Sequence, residues 1–98
     1  MTKADIVDIV SHGTGLTKVD TEAVIDGFVS TIADALNRGE RIEFRGFGSF
    51  SVKVRKPKKA RNPGTGEEIY LPERVIPVFK PSKILKDSIN LDYKYKSH

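Results

Sequence analysis

Lys53-Val54-Arg55-Lys56-Pro57-Lys58-Lys59-Ala60-Arg61-Asn62-Pro63-Gly64-Thr65-Gly66 is the stretch around which this 98-residue chain is organised. Six of the nine positions from Lys53 to Arg61 are cationic and none is acidic. Such a run carries almost no apolar surface, so it cannot join a core. It either hangs in solvent as a loop or lies against a polyanion. The ordered alternation on both sides of it favours the polyanion.

Upstream, from Arg41, the period is two. Ile42 and Phe44 point one way and Arg41, Glu43 and Arg45 the other; after Gly46-Phe47-Gly48 the alternation resumes with Phe50, Val52 and Val54. This predicts a hairpin whose glycines supply the turn. Gly-Phe-Gly is also a weak phosphate-binding signal, but a tight turn beside a core Phe47 is the plainer reading. Downstream, Asn62 to Gly66 is a dense turn signal. Glu68 to Pro72 reads as a weak return strand, and Val75 to Phe79 as a firmer one that rejoins the sheet. About ten extended residues lead from Lys53 to Pro63, roughly 30 Å at the usual rise per residue. A duplex is only ~20 Å across. Residues 53–74 therefore read as a protruding two-stranded arm long enough to embrace DNA. Pro57 and Pro72 fit there, because a two-stranded ribbon has free edges that tolerate a missing N–H.

The first half is helical. Thr2-Lys3-Ala4-Asp5 is a cap signature, followed by Ile6, Val7, Ile9 and Val10 at helical spacing and a stop at Gly13. Thr17-Lys18-Val19-Asp20 repeats the cap, and a longer helix should run to about Arg38 with Gly39 past its end. Its apolar positions, Val24, Ile25, Phe28, Val29, Ile32, Ala33 and Leu36, form a stripe wider than one face. A two-turn helix and a few strands could not cover all of it, so either more of this chain folds over it or a second copy does, and the second copy is favoured. We expect Phe28, Ile32, Leu36, Phe44, Phe47, Phe50 and Phe79 in the shared core. A short last helix follows Ser82 as cap, with Ile84, Leu85 and Ile89 as its buried face. Residues 92–98 read as a polar, frayed tail after a single domain of residues 1–91. The fold class is α+β: two helices, a three-stranded antiparallel sheet bearing the arm, and a short closing helix.

Residues 1–52 hold five Lys/Arg against eight Asp/Glu, net −3; residues 53–98 hold twelve against five, net +7. A neutral-to-acidic body with a basic appendage suits nucleic acid or an anionic membrane. The arm lacks the Trp/Phe/Leu face of an interfacial helix, which disfavours the membrane. Two short-linked helices also suggest a helix-turn-helix, but the second carries Asp20, Glu22, Asp26 and Asp34 and would be repelled from a groove lined by phosphates. With no cysteine there is neither a disulfide framework nor a Cys-based metal site. No segment reaches the ~20 apolar residues of a membrane span, and none resembles a signal peptide. His12 and His98 form no dyad or metal set. Neither an enzyme, a cofactor nor a small-molecule substrate is expected, and the expected location is the cytoplasm.

Three ordered motifs resemble one family. Arg45-Gly46-Phe47-Gly48-Ser49-Phe50, then Ala60-Arg61-Asn62-Pro63-Gly64-Thr65-Gly66, then Phe79-Lys80-Pro81-Ser82-Lys83 resemble the bacterial HU and integration host factor (IHF) proteins over residues 1 to about 91. Ala60 departs from the glycine common there. Gly39 to Phe50 is similar to the beta subunit of IHF; on that resemblance Glu43 and Arg45 stand where the site-specific member chooses its sequence. The resemblance implies an intertwined dimer, homodimeric or paired with a related subunit. It also implies two arms curling into the minor groove of bent, nicked or flexible double-stranded DNA in the nucleoid.

Residue by residue, Arg55, Lys56, Lys58, Lys59 and Arg61, with Asn62, should meet phosphates or enter the groove. Lys3, Arg45, Lys53, Lys80, Lys83 and Lys86 should hold the flanking duplex. Pro63 is expected either to set the turn or to wedge its rigid apolar ring between base pairs, and the Arg-Asn-Pro match favours the wedge. Cations alone do not distinguish DNA from RNA.

Overall fold

Thr2 opens the first helix by a reciprocal cap. Its hydroxyl accepts from the Asp5 N–H while the Asp5 carboxylate accepts from the Thr2 N–H at 2.7 Å. Helix α1 runs Lys3–Thr14. Gly13, the expected stop, lies inside it. The stop is Gly15, whose φ of 78° is the left-handed conformation that ends a helix and whose N–H bonds the Ser11 carbonyl. Thr17 caps α2, Lys18–Asn37, which closes at Arg38 before a left-handed Gly39, as expected.

The computed structural model describes residues 1–96. After the two helices come β1 (Ile42–Phe44), β2 (Gly48–Arg55), β3 (Lys58–Arg61), β4 (Glu68–Leu71), β5 (Arg74–Pro81) and α3 (Lys83–Lys96). β1, β2 and β5 form an antiparallel sheet in that order, and β3 pairs with β4 alone. In the three-stranded sheet Phe50 faces Phe79, Ser49 faces Lys80 and Arg55 faces Arg74. Alternation then sorts the sheet into two faces. Ile42, Phe44, Phe50, Val52, Val54, Val75, Pro77 and Phe79 share one; Arg41, Glu43, Lys53, Arg55, Arg74 and Lys80 share the other. Helix α2 crosses the apolar face, where Phe28 lies 5.2 Å from Phe44. All five phenylalanines join one string of ring contacts, from Phe28 through Phe44, Phe50 and Phe79 to Phe47. Gly48 has no side chain because a Cβ there would strike the Lys80 carbonyl and the Phe79 ring.

The arm is two ladders with a gap. The β2–β5 ladder ends at Arg55 opposite Arg74; pairing resumes at Lys58 opposite Leu71 and runs to Arg61 opposite Glu68. Between them Lys56-Pro57 faces Pro72-Glu73, and the two prolines bring no N–H to a ladder.

The chain by itself has almost no interior. Among the described residues only Val7 and Ala35 are buried apolar side chains, while Phe28, Phe47 and Phe79 are 49 %, 48 % and 40 % exposed. Ile32, Leu36, Phe44 and Phe50 are half-buried. The radius of gyration is 18.8 Å, against about 13 Å for a compact chain of this length. Its accessible surface of 8263 Å² exceeds the ~5,600 Å² of a folded monomer of this mass. An apolar concavity of about 500 Å³ opens between α2 and the sheet, lined by Ala33, Leu36, Val52, Val75 and Pro77.

Two expectations about the C-terminus are corrected. Ser82 does cap α3, accepting from the Leu85 N–H at 3.1 Å. The helix is not short, however: no glycine or proline interrupts it, so it continues through Asp92 to Lys96, where a polar tail was expected. Residues 97 and 98 lie outside the described residues. Leu85 is half-buried, but Ile84 and Ile89 are exposed, because none of the described residues covers that face.

Candidate nucleic-acid interface

The sheet's two faces decide where the cations go. Because a strand alternates sides, packing the phenylalanines against α2 forces Lys53, Arg55 and Lys80 onto the opposite, open face. Arg45 sits in the β1–β2 turn, where Gly46 takes φ 86° and the Phe47 N–H bonds the Phe44 carbonyl at 2.9 Å. A shallow hollow of about 260 Å³ gathers Arg41, Glu43, Arg45, Ser49, Lys80 and Ser82 at this edge. Within it the Arg41 guanidinium donates to Glu43 at 3.0 Å. Lys83 and Lys86 lie on the first turn of α3, which a bond from the Ser82 N–H to the Phe47 carbonyl ties to the turn.

On the arm the cations divide between both surfaces. Lys58 shares a face with Ala60, Ile69 and Leu71, while Lys59 and Arg61 share the other with Tyr70 and Glu68. Lys56 stands in the ladder gap. Among the described residues none of Lys53, Arg55, Lys56, Lys58, Lys59 and Arg61 makes an ion pair, although Glu68 shares a rung with Arg61, so the arm is a strip of net positive charge whose cations are not held by acids.

The tip has one architect. Asn62 donates its N–H to the Glu67 carbonyl and accepts the Gly66 N–H on its own carbonyl at 2.7 Å. Its side-chain oxygen accepts the Gly64 N–H at 2.9 Å, the local bond that makes Asn a turn residue. Gly66, with φ 74°, completes the reversal. The consequence is an exposed Pro63 ring at the end of the arm, bracketed by the Asn62–Gly64 bond. Asn62 thus braces Pro63, a role not foreseen for it.

Lys3 is already paired within the chain. Its ammonium donates to Asp26 at 3.1 Å and to Glu22 at 3.5 Å. Those carboxylates, Asp26 first, hold its pKa above the ordinary lysine value. Arg74 stands alone in the sequence between Glu73 and Val75, and only the register sets it opposite Arg55.

Residues 1–90 match the family model described as bacterial DNA-binding protein. The chain belongs to that family. The match ends inside α3, so the last turns of that helix lie beyond what the family model matches. DNA-binding protein HU 1 of Bacillus subtilis is 43% identical over 89 residues, covering 91% of this chain and 97% of that protein. Integration host factor subunit beta of Hahella chejuensis is 40% identical over 95 residues, covering 96% and 97%. These two figures do not set this member of the family apart as HU or as IHF. In a cocrystal of Anabaena HU with DNA, the HU chain superposes on this family member with a TM-score of 0.84 at 32% identity, covering 91% of this chain and 97% of that one.

Proposed function

We propose that this protein is an architectural DNA-binding protein that acts as a dimer, reaches into the minor groove with two arms and bends the duplex by inserting Pro63 between base pairs. The observation that carries the reading is the arm itself. A ribbon of unpaired cations that ends in a braced, exposed proline has no use for an enzyme or a core, and every use for a polyanion that can be kinked. The family membership and the similarity to an HU chain cocrystallised with DNA support the same choice of ligand. The open apolar face of α2 and the sheet supports a second subunit, either an identical copy or a related chain.

The energetics are an exchange. Unstacking a base step costs a few kcal/mol. The bent duplex then brings its phosphates against Lys53 and Lys80 on the sheet and against Lys83 and Lys86 on α3, and each neutralised phosphate releases counterions. The minor groove offers a degenerate set of acceptors, which suits Lys and Arg and conveys little sequence. Discrimination then comes mainly from how readily a site deforms. A protein of this kind belongs with the chromosome, in the nucleoid.

The test is an electrophoretic titration on a random-sequence duplex and a nicked duplex, each at two salt concentrations. Tighter binding to the nicked probe with steep salt dependence is expected. Equal, salt-insensitive binding to both would overturn the bending model, and duplex RNA bound better than either probe would overturn the choice of DNA.

A further inference from the structure

The pairing of Arg55 with Arg74 is unfavourable in the free protein. The two residues stand directly opposite each other as the last rung of the β2–β5 ladder, which places their side chains on one face with Cβ atoms about 5 Å apart. Like charges at that position destabilise a sheet. No acid relieves them: among the described residues neither arginine makes an ion pair, and Glu73, though adjacent in sequence, stands outside the strand and does not bond either one. Beside them opens a concavity of about 590 Å³ lined by Arg55, Lys56, Pro57, Lys58, Arg74 and Ile76, with four cations and no carboxylate. It lies at the root of the arm, where the ladder is interrupted.

We propose that Arg55 and Arg74 are a two-guanidinium clamp for a single backbone phosphate of the duplex. The inference rests on the DNA-binding reading above and adds to it a residue, Arg74, and a site. A guanidinium presents a planar fork of N–H donors that pairs two-pronged with phosphate oxygens. Two such forks facing each other across a rung can hold one tetrahedral phosphate between them. The anion turns the repulsion into attraction on both sides. The rung next to the Pro57–Pro72 break then becomes tied through the phosphate. Binding therefore stiffens the arm at its root. The same face carries Lys53 two residues away and Lys80 at the far end of β5, so the clamp continues a track of cations leading from the sheet onto the arm.

The experiment compares full-length wild type with Arg55→Gln, Arg74→Gln, the double variant and Arg74→Lys, using Lys59→Ala as an arm control. Affinity for a nicked duplex is measured across a salt series. Arg55→Gln and Arg74→Gln are each expected to weaken binding but to leave the salt slope close to that of the wild type, because the remaining guanidinium still neutralises the shared phosphate. The double variant should lower the slope by about 1, because only then does the shared phosphate lose both of its cations. Arg74→Lys should keep the slope and lose affinity, since it keeps the charge without the fork. Additive slopes would assign the two arginines to separate phosphates and overturn the clamp. Wild-type behaviour of Arg74→Gln beside a weakened Lys59→Ala would overturn the clamp and leave the DNA reading standing; no duplex binding by the wild type would overturn that reading itself. Amide hydrogen exchange at Val54 and Val75 gives a second readout. Without DNA, Arg74→Gln should exchange more slowly than wild type, because a repulsion is gone; with DNA the order should reverse. Unchanged exchange in both states counts against the clamp.

Discussion

Phe28 of α2 lies 5.2 Å from Phe44 of β1, yet Phe28 remains about half exposed. One ring thus joins the helix to its own sheet and also presents a free side. Val24, Val29 and Phe79 are exposed as well, so much of the apolar surface of α2 and the sheet is left uncovered by the described residues. Interiors pack without voids, and the open concavity beside Leu36 and Val52 is the space a second subunit would fill.

Folding and association should then be one equilibrium. The melting temperature of the wild type is expected to rise with protein concentration. Phe28→Glu should melt lower and sediment as a smaller species. A stable Phe28→Glu monomer with full DNA affinity would refute the shared core.

Gly48 tests the sheet's inner packing. A methyl group there meets the Lys80 carbonyl and comes within 2.7 Å of Phe79. Backbone yields less than a flexible side chain, so Gly48→Ala is expected to cost about 1–3 kcal/mol, the usual range for overpacking. Urea unfolding at fixed protein concentration measures it, and an unchanged midpoint would mean that the β2–β5 spacing can relax.

Pro63→Ala should separate binding from bending. The cations of the arm survive the change, so affinity should fall only modestly, while the wedge that holds a base step open is gone. Energy transfer between dyes at the two ends of a duplex reads the bend directly. Equal bending by the variant would leave Pro63 with the turn alone.

Lys3 is available to a phosphate only by leaving Asp26 and Glu22. Its folded pKa is raised, so the pair's contribution is complete below the unfolded lysine pKa and is lost as pH rises through the folded value, well into the alkaline range. Asp8 has the opposite sign. Lys18 lowers its pKa, so that contribution is present above the unfolded aspartate value and is lost as pH falls through the folded one. Near neutral pH both pairs are therefore intact. Asp26→Asn is expected to raise DNA affinity a few-fold at low salt, with the gain fading as salt screens the charges. Titrations of the two proteins at low and high salt decide it; a loss of affinity would show that Asp26 supports the DNA-binding conformation.

Much of this protein was legible in local chemistry. Thr2 and Thr17 announced both helices because a cap needs only a hydroxyl and the next turn's N–H groups. Gly46 announced the turn because few other residues tolerate its backbone angles, and the switch from a period of three to four to a period of two marked where helix gave way to strand. The cationic run and Asn62-Pro63-Gly64 marked the arm for the same reason: their meaning lies within a few residues. What tertiary structure decided depends on partners distant in the chain. No local rule reveals that α2 brings Asp26 to Lys3. Arg74 carries no local signal, since only the register sets it against Arg55. The end of α1 moved from Gly13 to Gly15, and α3 ran on past Asp92, because helix ends depend on small local differences that competing glycines and polar residues blur. Sequence determined which segments are helix, strand and arm, through interactions spanning one turn or one strand. Only the tertiary structure decided which charges stand free and which are already paired, because electrostatic pairing is set by distance in space and not by distance along the chain.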